Sequence, residues 1–174
     1  NVWQDRSVDY AVPIGGRVVI PATEDDGWRG RVQGVVHDEK AYLMGGVAGH
    51  AGLFGTAADV AWLTEQYLGP LCGRDVATLP IELIRDAVRE QAFDPVLRRG
   101  LGWALKTSDE NSCGRWWAME TFGHTGFVGT CVWADPTRDV QGVLLTNTVY
   151  FGRKDTRALR ASFYEALLGD LDLR

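Results

Sequence analysis

One short stretch of sequence decides the expected fold, namely Phe122-Gly123-His124-Thr125-Gly126-Phe127. Its small residues between apolar runs predict a strand that ends in a turn. Such a strand end presents backbone N–H groups and a hydroxyl to an approaching substrate, which is what an oxyanion-binding site requires. We call His124-Thr125-Gly126 the H-T-G box. The alternative for an isolated tripeptide of this kind is a glycine-rich β-turn that holds a packed histidine.

Composition and charge exclude several classes of protein. The chain has 174 residues, 45% hydrophobic and 24% charged, as expected of a globular unit with a core of its own. Its apolar runs, such as Val143-Leu144-Leu145, are far shorter than the roughly 20 residues of a membrane-spanning helix. The net charge of −5 gives no reason to expect nucleic acid as a partner. Arg98-Arg99 and Arg153-Lys154 are short basic clusters that we expect at the solvated surface.

The residues that commonly bind metals are sparse and irregularly spaced. The 3 cysteines show no C-x-x-C spacing, which argues against a zinc knuckle or a dithiol redox motif. We expect Cys131 to be a small buried residue in a strand. A metal-dependent hydrolase built on His37, Asp38 and His50 is an alternative, but no H-E-x-x-H spacing supports it. We therefore expect no metal and no other cofactor, and a structural role for His50.

Caps and apolar spacing predict three helices. Thr56, with Asp59 three residues later, caps a helix that Gly69-Pro70 should end. A second helix begins near Pro80, and a third closes the chain before Gly169. The expected apolar stripes are Val60, Leu63 and Tyr67, then Ile81, Ile84 and Val88, then Leu159, Phe163 and Leu167.

The β-strands are predicted mainly in the second half of the chain. After a short strand at 101–105 and a polar loop at 108–114, the candidates are Trp116 to Phe122, Gly129 to Ala134 and Val140 to Thr146. Asp135 to Asp139 has the composition of a turn, so the last two strands should form an antiparallel hairpin. The order of elements predicts an α+β fold in which helices cover an antiparallel sheet.

The first third of the chain carries weaker signals. Residues 1–36 are expected to be irregular, apart from a strand candidate at Val18-Val19-Ile20 and an acidic turn at Glu24-Asp25-Asp26. The segment from Gly45 to Gly52 is too rich in glycine for a helix, since each glycine costs about 1 kcal/mol relative to alanine. We expect a tightly packed loop, because dense glycines indicate close backbone contacts or positive φ angles.

Several segments, in this order along the chain, resemble a known family. The H-T-G box, Gly129 to Pro136, and Gly142 to Asn147 are similar to the C-terminal part of the serine β-lactamase and penicillin-binding-protein family, in its class C β-lactamase, esterase and D-aminopeptidase branch. The likeness extends upstream to 36–42, 45–54 and Thr56-Ala57-Ala58-Asp59. The resemblance implies the C-terminal part of the DD-peptidase/transpeptidase fold, an antiparallel sheet covered by helices.

The resemblance also implies roles for the box and its neighbours. His124 would add positive electrostatics near the nucleophile, and Thr125 would bind a substrate carboxylate or carbonyl. Phe127, directly after Gly126, would offer its backbone N–H as one of two oxyanion donors. Asn147, at the end of the last strand, would lie near the substrate carboxylate. Most true β-lactamases have lysine in place of His124, and an unperturbed histidine titrates near pH 6.5. Weaker, pH-dependent recognition of a β-lactam carboxylate is therefore expected.

The family's nucleophile motif Ser-x-x-Lys and its Tyr-x-Asn or Ser-x-Asn motif do not occur in the 174 residues. The residues three positions after Ser7, Ser108, Ser112 and Ser162 are Tyr10, Asn111, Arg115 and Glu165. We therefore expect residues 1–174 to be the C-terminal portion of a single catalytic domain, inactive without the N-terminal half that supplies the serine.

The expected reaction of the whole domain is acyl-enzyme hydrolysis of an ester, amide, β-lactam or peptidoglycan-type peptide. The alternative is a non-catalytic remnant or binding module with the same fold. An export signal upstream of these residues would imply a periplasmic or extracellular location.

Overall fold

The computed structural model describes residues 20–76, 78–92 and 96–174, so all of the predicted strand at 18–20 except Ile20 lies outside the described residues. The chain forms two compact units. Unit 1 holds the described residues up to Asp59 together with Phe127–Thr130 and Leu145–Lys154. Unit 2 holds Val60–Gly126, Cys131–Leu144 and Asp155–Arg174, again for the described residues.

Unit 1 begins with a β-hairpin that sequence analysis missed. Strands β1 (Glu24–Asp26) and β2 (Gly30–Val32) pair antiparallel. The acidic run is therefore a strand rather than a turn, and residues 1–36 are not irregular throughout. The turn lies at 27–29, where the Asp26 carboxylate accepts hydrogen bonds from the amides of Trp28 and Arg29. Aspartate before glycine is a typical hairpin turn, and this signal was present in the sequence.

A short helix and a glycine-rich loop follow the hairpin. Helix α1 (Glu39–Leu43) is capped by Asp38, whose Oδ1 accepts from the Ala41 amide at 2.8 Å. The loop from Gly45 to Gly52 is present as predicted. It packs through Ala48, which is buried with Val36 and Ala41, whereas three of its glycines are not closely packed. No atom would lie within 4 Å of a Cβ added at 45, 46 or 49. The need for glycine is conformational, since φ is +86° at Gly45 and +89° at Gly46.

Helix α2 (Ala57–Leu71) begins at the predicted cap. The Asp59 carboxylate accepts from the Thr56 amide at 2.8 Å, and the Thr56 hydroxyl oxygen accepts from the Asp59 amide at 3.2 Å. The helix continues through Gly69-Pro70 and ends one residue later than expected. Helix α3 (Ile81–Val88) starts directly after Pro80, as predicted, and buries Ile84 completely.

The main sheet lies in unit 2 and has four antiparallel strands in the order β3-β4-β5-β6. The strands are β3 (Ala104–Leu105), β4 (Phe122–Thr125), β5 (Cys131–Asp135) and β6 (Val140–Leu144). Residues Gly123, Trp133 and Gly142 are cross-strand partners. The predicted hairpin of the last two strands and the α+β fold class are confirmed.

Helices cover this sheet, and helix α4 (Arg157–Asp170) carries an unexpected stripe. Its buried residues are Arg160, Tyr164 and Leu168, one position away from the predicted stripe. Leu159 is 48% exposed. The helix runs through Gly169 to Asp170. Two core clusters result. One joins Trp117, Cys131 and Trp133 to Tyr164 and Leu168, and the other joins Leu105, Phe122 and Ala134 to Leu68 of α2 and Ala87 of α3.

The predicted strand from Trp116 to Phe122 is wrong for all but its last residue. Residues 116–121 form turns, because side chains distant in sequence take up their backbone groups. The buried Lys106 ammonium donates to the carbonyl of Trp117 at 2.6 Å. The Asp135 carboxylate accepts from the Ala118 amide at 3.0 Å. With these groups already bonded, the segment cannot join the strand ladder.

A 3-10 helix (Thr148–Phe151), which belongs to unit 1, completes the regular elements of the described residues. Asn147 directly precedes the first residue of this helix. Strand β6 ends at Leu144, so the expectation that Asn147 closes the last strand is wrong.

Candidate active site

The H-T-G box begins on the last two residues of β4. His124 and Thr125 pair with Val132 and Cys131 of β5, and Gly126 follows the last pair. His124 is exposed, whereas Thr125 and Gly126 are half-buried. The box therefore stands at the end of a strand with its histidine accessible to solvent.

Glycine is required immediately before the box by close packing. A Cβ at Gly123 would lie 2.1 Å from the carbonyl oxygen of Val132 and 2.5 Å from the ring of Trp133. Real Cβ atoms do not approach backbone that closely, so β4 and β5 could not keep their present spacing with a larger residue. The absence of a side chain at Gly123 thus allows β4, which carries the box, to pack closely against β5.

Phe127 begins the turn that follows β4, and its backbone is outside the sheet ladder. Among the residues that the structure describes, none accepts a hydrogen bond from the Phe127 amide. The carbonyl of the preceding residue, Gly126, accepts from the buried Arg160 side chain at 2.7 Å. An N–H that a turn leaves available is the group an oxyanion site needs.

The Phe127 side chain is 66% exposed and has two neighbours within unit 1. Its ring centroid lies 5.4 Å from that of His37, and the Arg153 guanidinium lies 5.4 Å from the same ring. Arg153 also pairs with Glu24 at 2.9 Å. Burial, which outweighs the opposing charge of Glu24, lowers the pKa of His37. The His37 imidazole is therefore neutral over a wider pH range than an exposed histidine.

His124 has a hydrogen-bond partner at each ring nitrogen. Nδ1 lies 3.0 Å from the carbonyl oxygen of Thr125, and Nε2 lies 3.2 Å from a guanidinium nitrogen of Arg99. Arg99 was expected at the solvated surface, and no role was predicted for Arg160. The signal for Arg160 was its helical spacing with Tyr164 and Leu168.

Asn147 lies in unit 1 and has a structural contact. Its Nδ2 donates to the carbonyl of Ala22 at 2.9 Å. That leaves Oδ1 as its polar side-chain atom without a hydrogen bond to the described part of the chain. The five predicted site residues are divided between the units, with His124, Thr125 and Gly126 in unit 2 and Phe127 and Asn147 in unit 1.

Two residues of the metal alternative, Asp38 and His50, bond to each other, and the third, His37, bonds elsewhere. His50 Nε2 lies 3.0 Å from Asp38 Oδ1, and His37 Nδ1 lies 3.0 Å from the Thr23 hydroxyl. The predicted structural hydrogen bond of His50 is therefore present. Within the described ranges, no three His, Cys, Asp or Glu side chains are grouped as metal ligands would be.

The box at a strand end, the antiparallel sheet and its helical cover agree with the comparison with known families, in which a family model described as Beta-lactamase matches residues 11–165. The chain belongs to the beta-lactamase family. The predicted relationship to serine β-lactamases and penicillin-binding proteins is thereby confirmed.

Two similar proteins are named as a carboxypeptidase and an amidase. A protein of Escherichia coli strain K12 named "Putative D-alanyl-D-alanine carboxypeptidase" is 37% identical over 117 residues, which are 66% of this chain and 26% of that protein. An N-acetylmuramyl-L-alanine amidase of Bacillus subtilis is 38% identical over 119 residues, 67% of this chain and 26% of the amidase.

A solved beta-lactamase from Mycobacterium bovis has the same fold, with a TM-score of 0.55 and 25% identity over 69% of this chain and 46% of the other. The chain thus spans about a quarter of the length of the two curated relatives and under half of the solved structure. In the described part of the chain, none of the helices has the length and apolar character needed to cross a bilayer.

Proposed function

We propose that this chain supplies the oxyanion-binding and substrate-binding strand of a serine hydrolase that works through an acyl-enzyme. The serine of a Ser-x-x-Lys motif and the Tyr-x-Asn motif would come from an N-terminal half of the same catalytic domain. Residues 1–174 would be its C-terminal portion and would form no acyl-enzyme alone. The observation that carries the proposal is the Phe127 amide, which follows the H-T-G box and lies outside the ladder.

The proposed chemistry concentrates negative charge on one atom. Attack of the serine Oγ on the substrate carbonyl moves an electron pair onto the carbonyl oxygen. The Phe127 N–H would donate to that oxygen, with the N–H of the serine as the second donor. A preorganised donor of this kind contributes about 10²–10³-fold to kcat.

The box would hold the substrate beside that donor. Thr125 would offer its hydroxyl to a substrate carboxylate or carbonyl, and Gly126 would leave room for the substrate backbone. His124 would complete the polar surface near the nucleophile. Asn147 is carried over as a substrate-binding residue through its Oδ1, because its Nδ2 is bonded to Ala22.

Among esters, amides, β-lactams and peptidoglycan-type peptides, we infer that an amide bond next to alanine in a cell-wall peptide is the favoured substrate class. Two relatives support this inference, one named for the D-alanyl-D-alanine bond and the other for the bond between muramic acid and L-alanine. Histidine in place of lysine in the box also argues against a preference for β-lactams.

The test begins with the coding sequence upstream of residue 1. If it encodes Ser-x-x-Lys, the complete domain is produced as one polypeptide and reacted with a chromogenic ester and with an alanyl-D-alanine peptide. We expect a burst of product and a covalent adduct on the serine, found by mass spectrometry. Thr125→Ala should slow acylation, whereas Thr78→Ala, at an exposed position, should not.

Two results would refute the proposal. A folded complete domain without an adduct on any substrate would remove the acyl-enzyme. An upstream sequence without Ser-x-x-Lys would favour the alternative, a non-catalytic binding module that keeps the fold and lacks the nucleophile.

A further inference from the structure

Two arginines bond to the end of β4 and to the residue that follows it, and the first of them contacts the box histidine. Arg99 is held by its backbone, which exchanges hydrogen bonds with Ala92 at 3.0 and 3.1 Å and bridges to Ala104 of β3. Ala104 pairs with Gly123 of β4. From this position the Arg99 guanidinium reaches Nε2 of His124 at 3.2 Å.

These contacts select one tautomer of the imidazole. A guanidinium has only donors, so Nε2 of His124 must accept from Arg99. A carbonyl oxygen only accepts, so Nδ1 must donate to the carbonyl of Thr125, 3.0 Å away. Only the neutral ring with its proton on Nδ1 satisfies both contacts. The positive charge beside the box therefore belongs to Arg99, and His124 passes its hydrogen bond on to the backbone.

The second arginine contacts the next peptide group. Arg160 lies on the buried stripe of α4, is 8% exposed, and donates to the carbonyl of Gly126 at 2.7 Å. One turn further on, the Tyr164 hydroxyl donates to the carbonyl of Gly142 in β6 at 2.9 Å. Helix α4 is thus bonded to the sheet one helical turn after Arg160.

The direction of the Phe127 N–H follows from the planarity of the peptide. The Gly126–Phe127 peptide is trans, so its carbonyl and its N–H point to opposite sides of the chain. Because Arg160 holds the carbonyl, the N–H is directed away from that guanidinium. An arginine that bonds to neither substrate nor oxyanion can in this way set the direction of the oxyanion donor.

We propose that Arg99 and Arg160 are positioning residues that clamp two consecutive carbonyls, those of Thr125 and Gly126, and so preorganise the Phe127 amide. Arg99 acts through His124, and Arg160 acts directly. The functional meaning of this clamp rests on the proposed oxyanion role of Phe127. In this proposal His124 is neutral and connects Arg99 to the Thr125 carbonyl. Arg99 then carries the positive charge that the box lysine carries in most β-lactamases.

The Arg99 half is tested by the tautomer of His124 in the isotopically labelled 174-residue chain. Long-range ¹H–¹⁵N NMR correlations are recorded at about pH 8.5, where imidazoles are neutral. We expect a single tautomer with the proton on Nδ1 in the wild type and in Arg99→Lys, which keeps a donor. Arg99→Met, which has no donor, should give a mixture of both tautomers. Arg89→Met is the matched control, since Arg89 is exposed and pairs with Asp86.

The Arg160 half is tested by backbone ¹⁵N relaxation at Phe127. We expect its order parameter to fall from about 0.85 to below about 0.6 in Arg160→Met, and to take an intermediate value in Arg160→Lys. Arg157→Gln, on the same helix but exposed and paired with Asp155, should leave it unchanged. If Arg160→Met does not fold, the comparison of Arg160→Lys with the wild type decides.

Three outcomes would overturn the clamp. They are a proton on Nε2 of His124 in the wild type, an unaltered single tautomer in Arg99→Met, and a wild-type order parameter at Phe127 in the folded Arg160 variants. None of these measurements uses a substrate or a nucleophile. If the NMR results are as expected but the complete domain forms no acyl-enzyme, the clamp stands and the proposed function is refuted.

Discussion

Two glycine-rich segments of this chain need glycine for opposite reasons. In β4, a Cβ on Gly123 would overlap the backbone of β5 at 2.1 Å. In the loop from Gly45 to Gly52, no atom lies within 4 Å of such a Cβ at Gly46, and the requirement is a φ of +89°. The first glycine permits contact between strands, and the second permits a bend in open space. Glycine density in a sequence therefore does not distinguish a packed site from an exposed loop.

Removal of the Phe127 N–H should impair the complete domain more than any other change. Phe127→Pro removes the proposed oxyanion N–H, because proline has none. In the complete domain, kcat should fall by about 10²–10³-fold, whereas Phe127→Leu keeps the N–H and should retain most of the rate. Steady-state kinetics with a chromogenic ester measures both. Equal rates for the two variants, with both shown by circular dichroism to be folded, would remove the amide from the mechanism.

A substitution at Gly123 tests the requirement for close packing between β4 and β5. Gly123→Ala should destabilise the chain by about 1–3 kcal/mol, since an overpacked contact with backbone cannot relax cheaply. The matched control is Gly49→Ala in the exposed loop, where nothing lies within 4 Å and the change should stay within about 0.5 kcal/mol. Urea unfolding followed by tryptophan fluorescence reports both. A neutral Gly123→Ala would mean that β4 and β5 can separate freely.

A substitution at Gly46 tests the requirement for a positive φ angle and should have a smaller effect. Gly46→Ala places a side chain at φ +89°, so it should cost about 1 kcal/mol although the space is empty. Gly46→Asn should cost less, because asparagine tolerates positive φ better. The same urea titrations separate the two. If alanine is as well tolerated at 46 as at 49, the loop does not depend on its backbone conformation.

The smallest effect concerns the charge next to the loop. Hydrogen bonds from the Ala41 amide and then from His50 lower the pKa of the Asp38 carboxyl below its ordinary 3.8. Its cap on α1 is therefore fully present above pH 3.8 and is lost as the pH falls through the lower folded value. Carboxyl ¹³C NMR titration should show this, and His50→Ala, which removes the donor, should move the pKa of Asp38 partway back up. An unchanged midpoint in that variant would exclude His50 as a cause.

Features that depend on near neighbours in sequence could be predicted. The cap of α2 needs only Thr56 and Asp59, three residues apart, and the β5–β6 hairpin needs only the turn residues between its strands. The H-T-G box was expected beside a strand end for the same reason, since its glycines and flanking apolar residues are adjacent, although β4 ends at Thr125 and not at Phe122 as predicted. These features require no knowledge of where distant segments lie.

Features that depend on distant partners could not be predicted. Residues 116–121 have strand-like composition, yet Lys106 and Asp135 bond to the backbone groups that a strand would use. Arg160 interrupted the apolar pattern of α4, because a charged residue is expected at the surface. Arg99 was likewise expected at the surface. Its contact with His124 exists only once Ala104 has paired with β4. The clamp thus depends on tertiary contacts that sequence patterns do not record.

The buried Lys106 has a practical consequence. Its ammonium is 2% exposed at the side chain and donates to the carbonyls of Arg115 and Trp117. An acetylating or other amine-reactive reagent can reach that nitrogen only when the neighbouring turns come apart. The rate at which Lys106 is modified would therefore count the opening events of unit 2, with Lys40 and Lys154, which are on the surface, as internal standards for reagent activity.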